Sequence, residues 1–135
     1  MSAAERPPSG NGSPPPLARI ERSERESVRL VSVTGELDIS NVGALESATF
    51  DLANDSLGIV VDLRKASYID SATVGMLFRL AHSLQRRGQA LRVVCGPGSN
   101  AERVLELSGF DREIARESDP GQAIDAIREA VASRE

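Results

Sequence analysis

Residues Leu57 to Leu63, LGIVVDL, constrain the fold of this chain more than any other stretch. A nearly unbroken apolar run with β-branched residues at its centre suits a strand covered on both faces. Such a strand needs paired neighbours within its sheet and helices packed above and below it. The remaining sequence offers both. Leu17 and Ile20 suggest a first strand, with a polar turn over Ser23-Glu24-Arg25-Glu26-Ser27. Val28 to Thr34 reads as a second, β-branched strand. Its alternation slips between Leu30 and Val31, which calls for cover on both faces or a bulge, and Gly35 is expected to end it. Ala90 to Cys95 supplies another strand, and Glu113 to Ala115 a short edge strand.

Helices are expected between these strands. Ser40 or Asn41 is placed to cap the first, with Val42, Leu45, Ala48, Thr49 and Leu52 on one face. After a short connection from Arg64 to Ile69, a second helix starts at Ser71. It turns Val74, Leu77, Leu80, Ala81 and Leu84 inward and stops before Gly88. Gly96-Pro97-Gly98-Ser99 leads into a third helix bearing Val104, Leu105 and Leu107, stopped by Gly109. Asp119-Pro120, a cap followed by proline in the first turn, opens a last helix with Ala123, Ile124, Ile127 and Val131 inward. Strands alternating with helices predict an α/β domain with a partly parallel sheet.

Composition narrows the function. The chain has 135 residues, 40% of them hydrophobic, enough for one packed domain without disulfides. Residues 1–16 hold five of the seven prolines and are expected to form a disordered tail, leaving residues 17–135 as the domain. No run of about 18 apolar residues is present to span a bilayer. The opening residues lack the apolar stretch of a secretory signal, so a cytoplasmic location is expected. Net charge is −4 with both signs interspersed, and aromatics make up 3% of the chain, so neither a basic face nor stacking residues favour nucleic acid.

One histidine, His82, and one cysteine, Cys95, cannot build a tetrahedral metal site or support a nucleophilic triad. His82 is expected at the surface and Cys95 in the core. The Gly96-x-Gly98 turn lacks the third glycine of a dinucleotide fingerprint, and no Gly-Lys-Ser follows, so it reads as turn chemistry. No enzymatic activity, metal or cofactor is expected. Asp62 raises a rival, the receiver domain, which carries a phosphoacceptor aspartate at a strand end. Receivers also need an acidic pair after the first strand and a late lysine, whereas Lys65 is the only lysine here.

Two stretches together carry a resemblance. Val33-Thr34-Gly35-Glu36-Leu37-Asp38 and, some thirty residues on, Tyr68-Ile69-Asp70-Ser71-Ala72-Thr73-Val74-Gly75-Met76-Leu77 are similar to the signatures of STAS domains, in particular the anti-sigma factor antagonists. With Leu107-Ser108-Gly109-Phe110 after the third helix, the similarity runs from about Leu17 to Val131. It implies a STAS-like α/β fold, a mixed four- to five-stranded sheet with about four helices. It also implies a monomeric binding module that docks an anti-sigma factor with serine kinase activity and so releases a sigma factor. Phosphorylation at Ser71 would end that interaction, and a serine/threonine phosphatase would restore it. Asp38, Asp70, Ser71, Ala72, Thr73, Val74 and Met76 would form the contact patch. Thr73 stands where such proteins commonly have glycine.

Elementary physics is compatible with this role. The first amides of a helix lack acceptors within it, so a hydroxyl at Ser71 can cap the helix and a phosphate there can meet the same N–H groups. The plainer alternative is that Ser71 is a cap and nothing more. Thr73 and Ser67 remain possible acceptors, and the same fold can serve as an unphosphorylated scaffold or ligand sensor.

Overall fold

The computed structural model describes residues 18–112 and 114–134. The tail expected over residues 1–16 lies outside them. The Leu57 run becomes the centre of a five-stranded sheet in the order β1-β2-β3-β4-β5. In chain order the elements are β1 (Ala18–Arg25), β2 (Val28–Leu37), α1 (Val42–Leu52), β3 (Gly58–Ile69) and α2 (Ser71–Arg86). There follow β4 (Ala90–Val94), α3 (Asn100–Ser108), a 3₁₀ turn (Phe110–Arg112), β5 (Arg116–Glu117) and α4 (Pro120–Ala132). β1 pairs antiparallel with β2, and the other three pairings are parallel.

Both faces of the sheet are covered, as the apolar run requires. Ile59, Val61 and Leu63 of β3 pack with Leu45 of α1, Leu77, Leu80 and Leu84 of α2, and Leu105 of α3. Val60 points the other way, into a smaller core with Val28, Val94 and Ala123, Ile124 and Ile127 of α4. Gly58 makes the β3–β4 approach possible, because a Cβ there would lie 2.1 Å from the Ala90 carbonyl oxygen.

Several expected boundaries move. β1 runs on through Ser23-Glu24-Arg25, and the turn shrinks to Glu26 and Ser27, both at positive φ (53° and 67°). That two-residue geometry suits a hairpin whose strands keep their twist. Gly35 does not end β2, and Arg64–Ile69 is strand rather than connection. Opposite Ser32 to Thr34 on β2, β3 advances from Asp62 to Lys65, and opposite Gly35 to Glu36 it advances from Ala66 to Tyr68. Each step puts one extra residue into β3, a bulge that lets pairing continue to Leu37 and Ile69. The edge strand forms at Arg116–Glu117 rather than over Glu113–Ala115, and Glu113 itself lies outside the described residues. Leu107 is 82% exposed instead of facing the core.

The receiver alternative fails on this topology. Receivers share the doubly wound strand order 2-1-3-4-5, whereas here the order is sequential with an antiparallel edge. Asp62 also lies inside β3, only 8% exposed, with its carboxylate held by the Arg64 guanidinium at 2.8–3.2 Å.

Candidate functional site around Ser71

The two bulges bring the ends of β2 and β3 together at the start of α2. There Asp70, not Ser71, is the N-cap: its backbone is extended and its carboxylate accepts from the Thr73 amide at 3.1 Å. Aspartate ranks with serine as a capping residue, and the later of the two positions turns helical. Ser71 therefore occupies the first helical position with its side chain exposed, the hydroxyl not consumed by capping.

A second oxygen of Asp70 reaches across the chain. Oδ2 accepts from the Ile39 amide at 3.2 Å, tying the β2–α1 loop to α2. That loop is itself held tightly. The Asp38 carboxylate accepts from the Ser40 amide at 2.8 Å and from its hydroxyl, while Asn41 accepts from the Asp38 amide at 3.0 Å and donates to the Glu36 carbonyl at 2.8 Å. The Ser40 hydrogen bonds hold the Asp38 carboxyl below the usual aspartate value. On the other flank, Asn100 at the start of α3 accepts from the Ile69 amide at 2.8 Å.

The expected contact residues divide by burial. Asp38 and Asp70 are half-buried, Ser71 is exposed and Ala72 is half-buried. Thr73 and Met76 are both 0% exposed and Val74 is 5% exposed. Thr73 and Met76 are thus corrected from surface contacts to supports beneath the patch. The Thr73 hydroxyl approaches the Leu37 carbonyl at 3.4 Å and Asp70 Oδ1 at 3.3 Å, which removes it as a phosphoacceptor in the folded chain. Ser67 remains exposed on β3. His82 is exposed, beside the Phe78 ring, and Cys95 is buried at 2% exposure.

Sequence reasoning missed the apolar rim. Ile39 is 80% exposed and Leu107 82%, and Leu107 lines a groove with Ser71, Val74, Val104 and Ser108. Ile39 sits in an irregular loop, where no periodicity could reveal it. Leu107 was legible: two residues beyond inward-facing Leu105, it stands about 200° around the helix. The α3 N-terminus is capped from within the chain. Ser99 accepts from the Glu102 amide at 3.1 Å and Glu102 accepts from the Gly98 amide at 2.7 Å, so one first-turn amide is capped and an acid already stands at that end.

Comparison with known proteins places this arrangement. The chain is 27% identical over 118 residues to RsfB of Mycobacterium tuberculosis, an anti-sigma-F factor antagonist, covering 86% of this chain and 94% of that one. Its fold matches the crystal structure of an anti-sigma factor antagonist from Mycobacterium paratuberculosis with a TM-score of 0.75 at 24% identity, over 82% and 94% of the two chains. It also matches phosphorylated SpoIIAA, a Bacillus cell fate determinant, with a TM-score of 0.58 at 18% identity, over 81% and 99%. The STAS domain model matches residues 19–130, nearly all that the structure describes, and the chain belongs to the STAS domain family.

Proposed function

We propose that this protein is an anti-sigma factor antagonist: unphosphorylated, it docks an anti-sigma factor that is also a serine kinase, and phosphorylation of Ser71 breaks the complex. The observation that carries this reading is the setting of Ser71, an exposed hydroxyl at the first position of α2, between exposed Ile39 and Leu107 and beside the Asp70 carboxylate. An apolar rim suits burial against another protein, and a hydroxyl at its centre is where charge does most damage. A phosphate adds a charge of about −1.5 to −2. Asp70 already occupies one of the helix-terminal amides, that of Thr73, and sets a like charge beside the phosphate. The modification therefore acts by repulsion and by the cost of burying a dianion at the interface.

The kinship with RsfB supports the partner class, and SpoIIAA, which shares the fold, exists in a phosphorylated form. The chain performs no chemistry of its own in this scheme; ATP and magnesium belong to the kinase, and a serine/threonine phosphatase reverses the mark. The site of action is the cytoplasm, with the protein as a monomer.

Phosphopeptide mapping after co-expression with a candidate anti-sigma kinase tests the proposal. Modification is expected at Ser71, with Ser71→Ala still binding and Ser71→Asp losing binding. Modification confined to positions other than Ser71, or a Ser71→Asp variant that binds as the parent does, overturns it; no modification at all favours an unphosphorylated scaffold.

A further inference from the structure

The shortness of β5 leaves a gap in the sheet. β5 pairs only with Val93 and Val94, so β4 from Ala90 to Arg92 has no described strand along that edge. A cavity of about 290 Å³ fills this gap, walled by Gln85, Gln89, Leu91, Arg92, Ile114 and Arg134 among others. Its described lining contains two arginines and no acid, although the chain carries a net charge of −4.

One of these arginines is poorly satisfied. Arg92 is half-buried; one terminal nitrogen donates to the Leu91 carbonyl at 2.9 Å, while its Nε is buried without a partner. Arg134 donates to the Gln89 carbonyl at 2.7 Å. Gln89, only 8% exposed, is fixed through its amide nitrogen to the carbonyls of Ala53 at 2.6 Å and Ser56 at 2.8 Å, and its Oε1 is left buried and unpartnered. Burial lowers the Arg92 pKa, Glu117 partly offsets this, and Arg134 adds to it. Arg92 thus keeps a buried, unpartnered Nε at this cavity while Arg134 stands exposed beside it, and Glu117 offsets only part of the burial cost. A planar or tetrahedral oxyanion is the chemistry that a pair of arginine forks satisfies.

We infer that this cavity is a binding site for a small molecule bearing an oxyanion, a carboxylate or a phosphate, held between Arg92 and Arg134. Gln85 lies fourteen residues beyond Ser71 on α2, roughly 21 Å at 1.5 Å per residue. The site is therefore separate from the face around Ser71 and does not rest on the function proposed for it.

Titration of the ¹⁵N-labelled full chain by NMR tests the inference. The probes are sodium phosphate and sodium succinate, each against sodium chloride at matched ionic strength. Saturable shifts are expected at the amides of Gln89–Arg92 and Ile114–Ala115 with at least one oxyanion and not with chloride. Arg92→Gln and Arg134→Gln should each weaken binding about tenfold or more. Arg134, exposed beyond α4, guards against an Arg92 variant that fails to fold. A response to phosphate alone assigns a phosphate ligand, and to succinate alone a carboxylate. No saturable shift with either, an equal response to chloride, or undiminished binding by folded Arg134→Gln overturns the site.

Discussion

The carboxylate of Asp70 bridges two segments 31 residues apart, capping α2 through the Thr73 amide and holding the Ile39 amide at 3.2 Å. The residue next to the proposed phosphoacceptor thereby sets the position of the most exposed apolar side chain in the β2–α1 loop. Loss of the bridge should register in both places. Asp70→Ala removes a cap, a cost of about 0.5–2 kcal/mol, and should lower Tm by several degrees. It should also speed hydrogen exchange at the Ile39 amide, and so should Asp70→Asn, whose single oxygen can keep the cap at Thr73 and most of the stability but turns an NH2 donor toward Ile39. Unchanged exchange at Ile39 in Asp70→Ala would show that the bridge is not formed in solution.

Thr73 separates support from chemistry. Its hydroxyl lies under the patch, near the Leu37 carbonyl and Asp70. Thr73→Val keeps the shape and loses about 1 kcal/mol through the missing hydrogen bond, measurable by urea denaturation. Because Ser71 is untouched, mass spectrometry after kinase treatment should find the variant phosphorylated to the parent's extent. Loss of phosphorylation in folded Thr73→Val would return the acceptor role to Thr73.

Leu107 tests the docking face without disturbing the core. At 82% exposure, its truncation to alanine should change folding stability by less than about 0.5 kcal/mol. If the groove beside Ser71 receives the partner, the same change should weaken binding about tenfold, as loss of a buried apolar anchor does. Calorimetric titration with the anti-sigma factor reads the outcome, and parental affinity would move the interface off α3.

Gly58 tests the sheet itself. Its Cβ would fall 2.1 Å from the Ala90 carbonyl oxygen, so Gly58→Ala must push β3 and β4 apart at their first pair. The expected loss is about 1–3 kcal/mol, the usual range for forced overpacking, visible as a lower urea midpoint. A neutral result would mean that the strands part there without cost.

Much of this architecture was legible because burial follows period. The uniform run at Leu57–Leu63 and the helical spacing of Val74, Leu77, Leu80, Ala81 and Leu84 each found their places. What escaped was the second half of β3. Two bulges there space the buried residues Leu63, Ala66 and Ile69 three apart, a pattern that neither a strand nor a helix template recognises. The same irregularity hid the cap, since which of Asp70 and Ser71 begins α2 depends on where the bulged strand delivers the chain. Ile39 and the Arg92–Arg134 pair were invisible for a different reason, being brought to their sites only by tertiary packing.

The α1–α2 contact carries a pH dependence. Arg79 grips Glu46 with two hydrogen bonds, 3.0 and 2.9 Å, and these hold the Glu46 carboxyl below its usual value of 4.5. A folded value lower than the unfolded one means that the pair's contribution is complete above pH 4.5 and disappears as pH falls through the lower folded value. Arg79 is 60% exposed, so solvent screening keeps that contribution small. Glu46→Gln should therefore be slightly less stable than the parent at neutral pH and equal to it in strong acid, because protonated glutamate and glutamine are alike to Arg79. Urea midpoints at neutral pH and well below pH 4.5 measure this, and a difference that persists in acid would assign the stabilisation to packing rather than charge.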